Sequence, residues 1–403
     1  MAVASSGATM SDPRRFALRG WHRALAVTCL VVAGVAAARV ILLAQSTGAP
    51  FATLAAAAPV AFPNEADSNS PAIWEMVEGR WRMSLLNSVA GQAKLSEGRT
   101  VQRLTSQGAV SFRSAAPHGG VWFESVIRDA DAWYGFYHNE REGVVCAASG
   151  KVWPRIGAAR SDDLGRSWID LGPILETPPD TVRCETNNHY FVGGVGDFSA
   201  VLDPDRHFVY LYYTQYVEAT ARVGVSVARM AWADRDAPAG RVDVWAEGVW
   251  QPPALQVIPP SPGEPTEDEA LVAPPEAEPE TEWRYPLASP IMIAGDRWDN
   301  GNSGVNVFWG PSIHWNTAID SYVMLLNQAA SNDWKQGGVF VSFNPRLDDP
   351  GGWSAPVRLF QGGYWYPQVI GLADGVGTDT IAGPVARFFM NGRSDFTIVF
   401  GRR

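Results

Sequence analysis

The sequence predicts an all-β fold made of repeated short strands, and three observations predict it. The first is composition. Of 403 residues, 17 are Trp, 39 Gly and 29 Pro, while charged residues make up only 18%. Such an aromatic, turn-rich and charge-poor chain suits many short strands better than helices. The second is patterning: from Ala72 onward, short runs of Val, Tyr, Phe and Trp alternate with Gly, Asp, Asn or Pro. Little helical periodicity follows residue 60, apart from a short helix expected around Ser84–Lys94. The third is a weak internal repeat.

One copy reads Gly157-Ala-Ala-Arg-Ser161, then Asp163-Leu-Gly165, then Trp168, and ends in Leu171–Leu175. A second reads Gly338-Val-Phe-Val-Ser342, then Asp349-Pro-Gly351, then Trp353, and ends in Val357–Phe360. A partial third is Gly224–Met230 with Trp232 and Asp234. Each is strand, acidic turn, Trp, as the outer hairpin of a propeller blade requires. About five such units fit between Ala61 and Arg403, so the expected architecture is a five-bladed β-propeller over 61–403.

The sharpest motif is Ser161–Trp168, which fits S-x-D-x-G-x-S-W. Asp163 can accept hydrogen bonds from its own turn, Gly165 can take the positive φ that closes it, and Trp168 can enter the core. These are structural duties. Expected strands are Gly120–Arg128, Ala132–His138, Arg155–Arg160, Gly196–Leu202, Phe208–Gln215, Val223–Ala231, Val305–Phe308, Tyr322–Asn327, Gly338–Phe343 and Phe388–Phe400. Residues 251–286, rich in Pro and Glu, read as a disordered or extended insertion within the propeller.

The net charge is −10, and eight of the acidic residues lie within that insertion. Nucleic acid is therefore excluded as an expected partner, and a neutral sugar suits the nearly neutral remainder. Residues 1–60 read as a signal peptide or membrane anchor plus linker: Arg14, Arg15, Arg19 and Arg23 precede an apolar stretch from Ala24 to Ala44. The protein is expected outside the cytoplasm, secreted, periplasmic or held at the membrane. Cys146 and Cys184 form either one disulfide or two buried thiols. No cysteine or histidine spacing indicates zinc.

Three acids stand where a propeller aims side chains at its axis. Asp67 precedes the first strand, Glu140 ends the run Trp133–Glu140, and Asp197 sits in the Gly-rich stretch before Phe198. Two opposed carboxylates are the minimal equipment for glycoside hydrolysis, one acid and one base or nucleophile. The plainer alternatives are a turn cap for Asp67, an ion pair with Arg141 or Arg155 for Glu140, and loop ordering for Asp197. Candidate sugar-binding residues are Asn69, His138, Asn139, His189, Asn306, Trp309, His314, Asn316, Trp365 and Tyr366, because aromatic faces and amides recognise sugars. Trp168 and Trp353 are assigned to packing.

Together these residues resemble the five-bladed propeller glycosidases, the arabinanase and β-xylosidase-like family 43 and its invertase-like relatives. The octet is also similar to the Asp box of sialidases. The resemblance covers Ala61 to the C-terminus and implies a base or nucleophile at Asp67 and a substrate-orienting Asp at Asp197. The family's acid, a Glu in a Glu-Gly-Pro segment, has no counterpart: this chain reads Trp309-Gly310-Pro311. Either the proton donor is then Glu140 or a His, or hydrolysis by the family's mechanism is lost. The resemblance also implies an oligo- or polysaccharide substrate, no organic cofactor and a calcium ion as a candidate occupant of the tunnel. The rival expectation is a non-catalytic carbohydrate-binding propeller tethered to the cell envelope.

Overall fold

The computed structural model describes residues 48–114, 119–141, 145–146, 149–217, 223–258, 280–293 and 306–403. The expected signal or anchor stretch before residue 48 lies outside them. Residues Ala52–Gly401 form one compact body, and it is a five-bladed β-propeller. No helix among the described residues is long and apolar enough to cross a membrane.

Blade I is Ala72–Val77, Arg80–Val89, Gln92–Gly98 and Leu104–Ala109, from the axis outward. Blade II is Val121–Asp129, Ala132–Arg141, Trp153–Ser161 and Ser167–Leu175, with Ser111–Arg113 along its rim. Blade III is Val195–Leu202, Phe208–Gln215, Gly224–Ala231, Val242–Ala246 and Val249–Gln251. Blade IV is Val307–Asn316, Ser321–Ala329, Gln336–Asn344 and Val357–Gln361, and Ile381–Ala382 lies parallel to its inner strand. Blade V is Gln368–Gly371, Val385–Met390 and Arg393–Arg402, completed on the outside by Pro50–Ala61. The first strand among the described residues thus pairs with the last, at the outer edge of the last blade.

Each pair of neighbouring blades shares its own apolar core. Leu86, Phe123 and Trp168 fill the gap between blades I and II, and Phe136, Phe198 and Val244 that between II and III. Tyr212, Ile313 and Trp353 join III to IV, Val323 and Phe388 join IV to V, and Phe62, Trp74 and Phe389 join V to I. The three repeat copies all fall at the connection between third and fourth strands, in blades II, III and IV. Their tryptophans Trp168, Trp232 and Trp353 are all buried. In the first copy, Asp163 Oδ1 accepts from the amides of Arg166 (3.1 Å) and Ser167 (2.8 Å), and Gly165 has φ of 81°. Burying a ring such as Trp168 contributes about 1.5–3 kcal/mol, so the octet is a packing element.

Three expectations need correction. The helix around Ser84–Lys94 is a hairpin between Arg80–Val89 and Gln92–Gly98, because Ala90 and Gly91 both take positive φ (50° and 72°) and reverse the chain. The run Phe388–Phe400 is likewise two strands, broken at Asn391-Gly392. The ends of the 251–286 insertion take the extended form, with Ala254–Ile258 paired antiparallel with Glu280–Arg284. Strand structure also begins before Ala61, in an alanine-rich segment that offers almost no strand signal. Cys146 and Cys184 form a disulfide.

Candidate active site

Three of the five inner strands depart from regular pairing at the same level. In blade II, Phe123 pairs with Tyr137 and Ser125 with Phe136, leaving Glu124 as the extra residue. In blade III, Gly196 pairs with Thr214 and Phe198 with Tyr213, leaving Asp197 extra with φ of 39°. In blade IV, the register jumps between Trp309 and Ser312 across Gly310 and Pro311. A bulge breaks the in–out alternation of a strand and re-aims one side chain. Here the re-aimed groups are two carboxyls, and both are buried.

His138 stands between them. Its Nδ1 accepts the Asp197 N–H at 3.1 Å and lies 3.7 Å from Glu124 Oε1 and 4.0 Å from Asp197 Oδ1. Its Nε2 faces Glu140 Oε1 at 3.6 Å. The ring packs edge-on against Trp122 and beside Phe191. Gly196 leaves it room, for a Cβ there would come within 2.3 Å of Nδ1. Burial opposes charge on His138, but Glu140, Asp197 and Asp67 outweigh it and hold its pKa above the ordinary value.

Tyr216 donates to Asp197 Oδ2, and Tyr366 donates to Oδ1 at 3.3 Å. Burial nevertheless pushes Asp197 up, against the pull of His138 and Tyr216. Glu124 is pushed well up by burial and by Asp197, although its Oε2 accepts the Phe198 N–H at 2.9 Å and the Asn69 amide at 3.4 Å. Asp67, in the segment entering blade I, is pushed up to about 6 by burial and then by the carboxylates of Asp197 and Glu140. It also borders a cavity of about 370 Å³ shared with Asn64, Asn391 and Arg393.

The predicted acids therefore converge, near the starts of the inner strands. Glu140 is not spent on an arginine, because Arg141 and Arg155 both face Glu176 instead (3.7 and 3.8 Å). Tyr366 and His138 belong to the same cluster. Asn69 sits beneath it, donating to the carbonyls of Phe198 (2.8 Å) and Pro311 (3.0 Å). His189 is exposed, its ring against Tyr190. Trp365 is half-buried and donates to the Trp334 carbonyl at 3.0 Å.

Other expected sugar contacts are built into the scaffold. Trp309 is fully buried against Trp334, Trp365 and Tyr366, so its ring has no open face. Asn139 is buried, donating to the Gly120 carbonyl (3.0 Å) and accepting from Arg155 (2.9 Å). Asn306 accepts from Gln328. His314 and Asn316 lie beyond the blade IV bulge, where regular pairing has resumed. Asn316 caps a turn there through the Ala318 N–H (3.1 Å), and His314 packs on Phe400. Glu124 was not anticipated, since a single Glu in an apolar run reads as a solvent-facing position. The signal available was the triplet Phe123-Glu124-Ser125, which breaks two-residue alternation.

Glu124, His138 and Asp197 can each offer one donor atom within 4.8 Å of the others. Two carboxylate oxygens and one imidazole fall short of the six to eight oxygens that calcium takes; of the three groups, His138 Nδ1 already accepts an amide and Asp197 two tyrosine hydroxyls, which leaves only Glu124 Oε1 unengaged on the Nδ1 side of the ring. The donor set does not fit the calcium ion that the resemblance implies.

No family model matches this chain, and no curated protein matches it. Solved structures do resemble it. The endo-arabinase of Bacteroides thetaiotaomicron is 10% identical, with 85% of this chain and 97% of that one covered and a TM-score of 0.46. A thermostable family-43 glycoside hydrolase is 12% identical over 85% and 92%, with a TM-score of 0.44. An exo-β-1,3-galactanase from Phanerochaete chrysosporium is 11% identical over 86% and 64%, also at 0.44. The architecture rests on the five sheets themselves, and the site on its own geometry.

Proposed function

We propose that this protein is an exported glycoside hydrolase that cleaves an oligo- or polysaccharide at the tunnel mouth. The observation that carries the proposal is the convergence of Asp67, Glu140 and Asp197 around His138, with Asp67 held near pH 6. A carboxylate with that pKa is mostly ionised at neutral pH yet basic enough to take a proton, which is what a general base needs. Asp67 activates water or attacks the anomeric carbon, Glu140 protonates the departing oxygen, and Asp197, fixed by two tyrosines, orients substrate. The Cys146–Cys184 disulfide supports export, because such bonds persist in oxidising compartments.

Two measurements test these roles. With Asp67 as base, kcat/KM rises with pH through about 6; a rate that falls through that value makes Asp67 the proton donor instead. Glu140→Gln slows cleavage of natural glycosides by roughly 10²–10⁴-fold but spares aryl glycosides whose leaving groups need no protonation. Equal losses on both classes remove Glu140 from the acid role.

A further inference from the structure

Blade I carries a charged recess that the chemistry at the tunnel mouth does not use. Arg80, Trp81, Arg99, Thr100, Arg103 and Asp374 surround a cavity of about 490 Å³. Arg80 and Trp81 begin the strand Arg80–Val89, whose other end, Val89, borders the Asp67 cavity. The recess therefore lies roughly 30 Å from that cavity, one strand length away. Its arginines are unusual for a chain with 42 acidic residues against 32 basic ones. The exposed Arg166, Arg206 and Arg346 each meet a carboxylate within 2.8 Å. Arg80, Arg99 and Arg103 are exposed too, yet among the described residues their guanidinium groups have no carboxylate or hydrogen-bond partner. Asp374 is the one acid lining the recess, so positive charge is in excess there.

The backbone holds these groups in place. Gly98 pairs with Leu104, and a Cβ on Gly98 would come within 2.1 Å of the Arg103 carbonyl. Buried Val101 pins the turn Val101–Arg103 from below. This tight closure carries Arg99 and Arg103 on one short connection. Trp81 is fixed as well: Trp74 meets its ring edge-on at 6.5 Å, and a Cβ on Gly375 would fall 2.5 Å from it. The ring nevertheless stays 43% exposed. An exposed ring and unpaired like charges add nothing to the stability of the fold. We propose that this recess binds a uronic acid residue of a polysaccharide, with the C–H side of the sugar on Trp81 and its carboxylate held by the arginines. An indole ring takes the apolar side of a pyranose, and a guanidinium meets a carboxylate through two parallel hydrogen bonds. The cavity is of small-ligand size, and three arginines at a sheet end fall short of the about four to eight basic residues that mark a lipid-headgroup site. The acids at the tunnel mouth repel a uronate, so the bound residue belongs to a stretch of glycan away from them. There it raises the local concentration of the polymer and takes no part in chemistry. Binding here needs no hydrolysis, so it stands or falls apart from the activity proposed above.

The test is calorimetric titration of the full chain with an oligogalacturonate and an oligoglucuronate, each beside its carboxyl-reduced, neutral counterpart. At least one uronate should bind saturably, about 10-fold or more tightly than its neutral counterpart, and should weaken as salt rises. Arg99→Gln together with Arg103→Gln should weaken it roughly 100-fold. That double variant breaks no side-chain contact within the described fold, so its thermal unfolding midpoint should match the wild type. Trp81→Ala should weaken the uronate and its neutral counterpart alike, and Asp67→Asn should change neither. No uronate binding, equal affinity for the neutral counterpart, or wild-type affinity in the double arginine variant overturns the proposal. So does binding that Asp67→Asn abolishes and the arginine variant keeps, which places the acidic glycan at the tunnel mouth. Capture by vesicles of phosphatidylglycerol in phosphatidylcholine, lost in the double variant and without uronate binding, overturns it in favour of a lipid site.

Discussion

The two ends of the inner strands are built to opposite rules. At their starts, blades II, III and IV bulge, and Glu124 and Asp197 are buried beside His138. At their far ends the same strands run in regular register and border a mostly apolar cavity of about 460 Å³, lined by Ile73, Trp74, Ile127, Val201 and Trp315. The contrast is clearest in two buried histidines. His138, among carboxyls, has its pKa raised; His314, with neither ring nitrogen hydrogen-bonded, is pushed down to about 3 by burial. Burial alone makes a histidine inert, whereas burial together with bulge-aimed acids makes a site.

Five substitutions can break or sharpen this contrast. Among residues that carry no acid or base, the largest effect on turnover belongs to Gly196→Ala, whose Cβ would meet the His138 ring. Moving that ring by about an ångström should cost roughly 10²-fold in turnover and, as over-packing of a buried site, about 1–3 kcal/mol of stability. Unchanged kinetics would mean that the ring position does not matter.

Next is His314→Leu. Its folded-state pKa lies below the unfolded value near 6.5, so His314 lowers stability progressively as pH falls from about 6.5 toward 3. Removing it should raise stability by about 1–3 kcal/mol at neutral pH and more at pH 4, as read by urea titration. The same change at His138 should destabilise, because the Asp197 N–H loses its acceptor.

Asp67→Asn has the opposite pH signature. Its folded-state pKa lies above the unfolded value of 3.8, so its share of stability is whole below about pH 4 and lost as pH rises through about 6. The asparagine variant should therefore be more stable at pH 7 by up to about 3 kcal/mol, with little difference at pH 4. A destabilised Asp67→Asn at pH 7 would show that the carboxylate serves the fold. The smallest effect is Asp163→Ala, which removes the turn's acceptor at a cost of about 0.5–2 kcal/mol and leaves hydrolysis intact.

The same contrast explains what the sequence could disclose. Blades were legible because Asp163, Gly165 and Trp168 form a local turn whose chemistry is contained in eight consecutive residues. Asp67, Glu140 and Asp197 were legible because strand ends are where a propeller presents polar groups. Glu124 was not, because a bulge depends on pairing with Tyr137 and Phe136, which lie a strand away. His314 and Asn316 misled for the converse reason: polar residues in an aromatic run look like ligand contacts until the register places them past the bulge. Trp309 misled because the ring of Trp334 that covers it arrives from the far end of the next strand's hairpin.

The most direct test is to incubate the purified protein with a panel of arabinan, xylan, galactan and other neutral glycans and measure the release of reducing sugar, alongside Asp67→Asn. The account predicts release from at least one glycan by the wild type, with loss of roughly 10²–10⁴-fold in the variant. A glycan that binds but is never cleaved, or cleavage that survives Asp67→Asn, would contradict it.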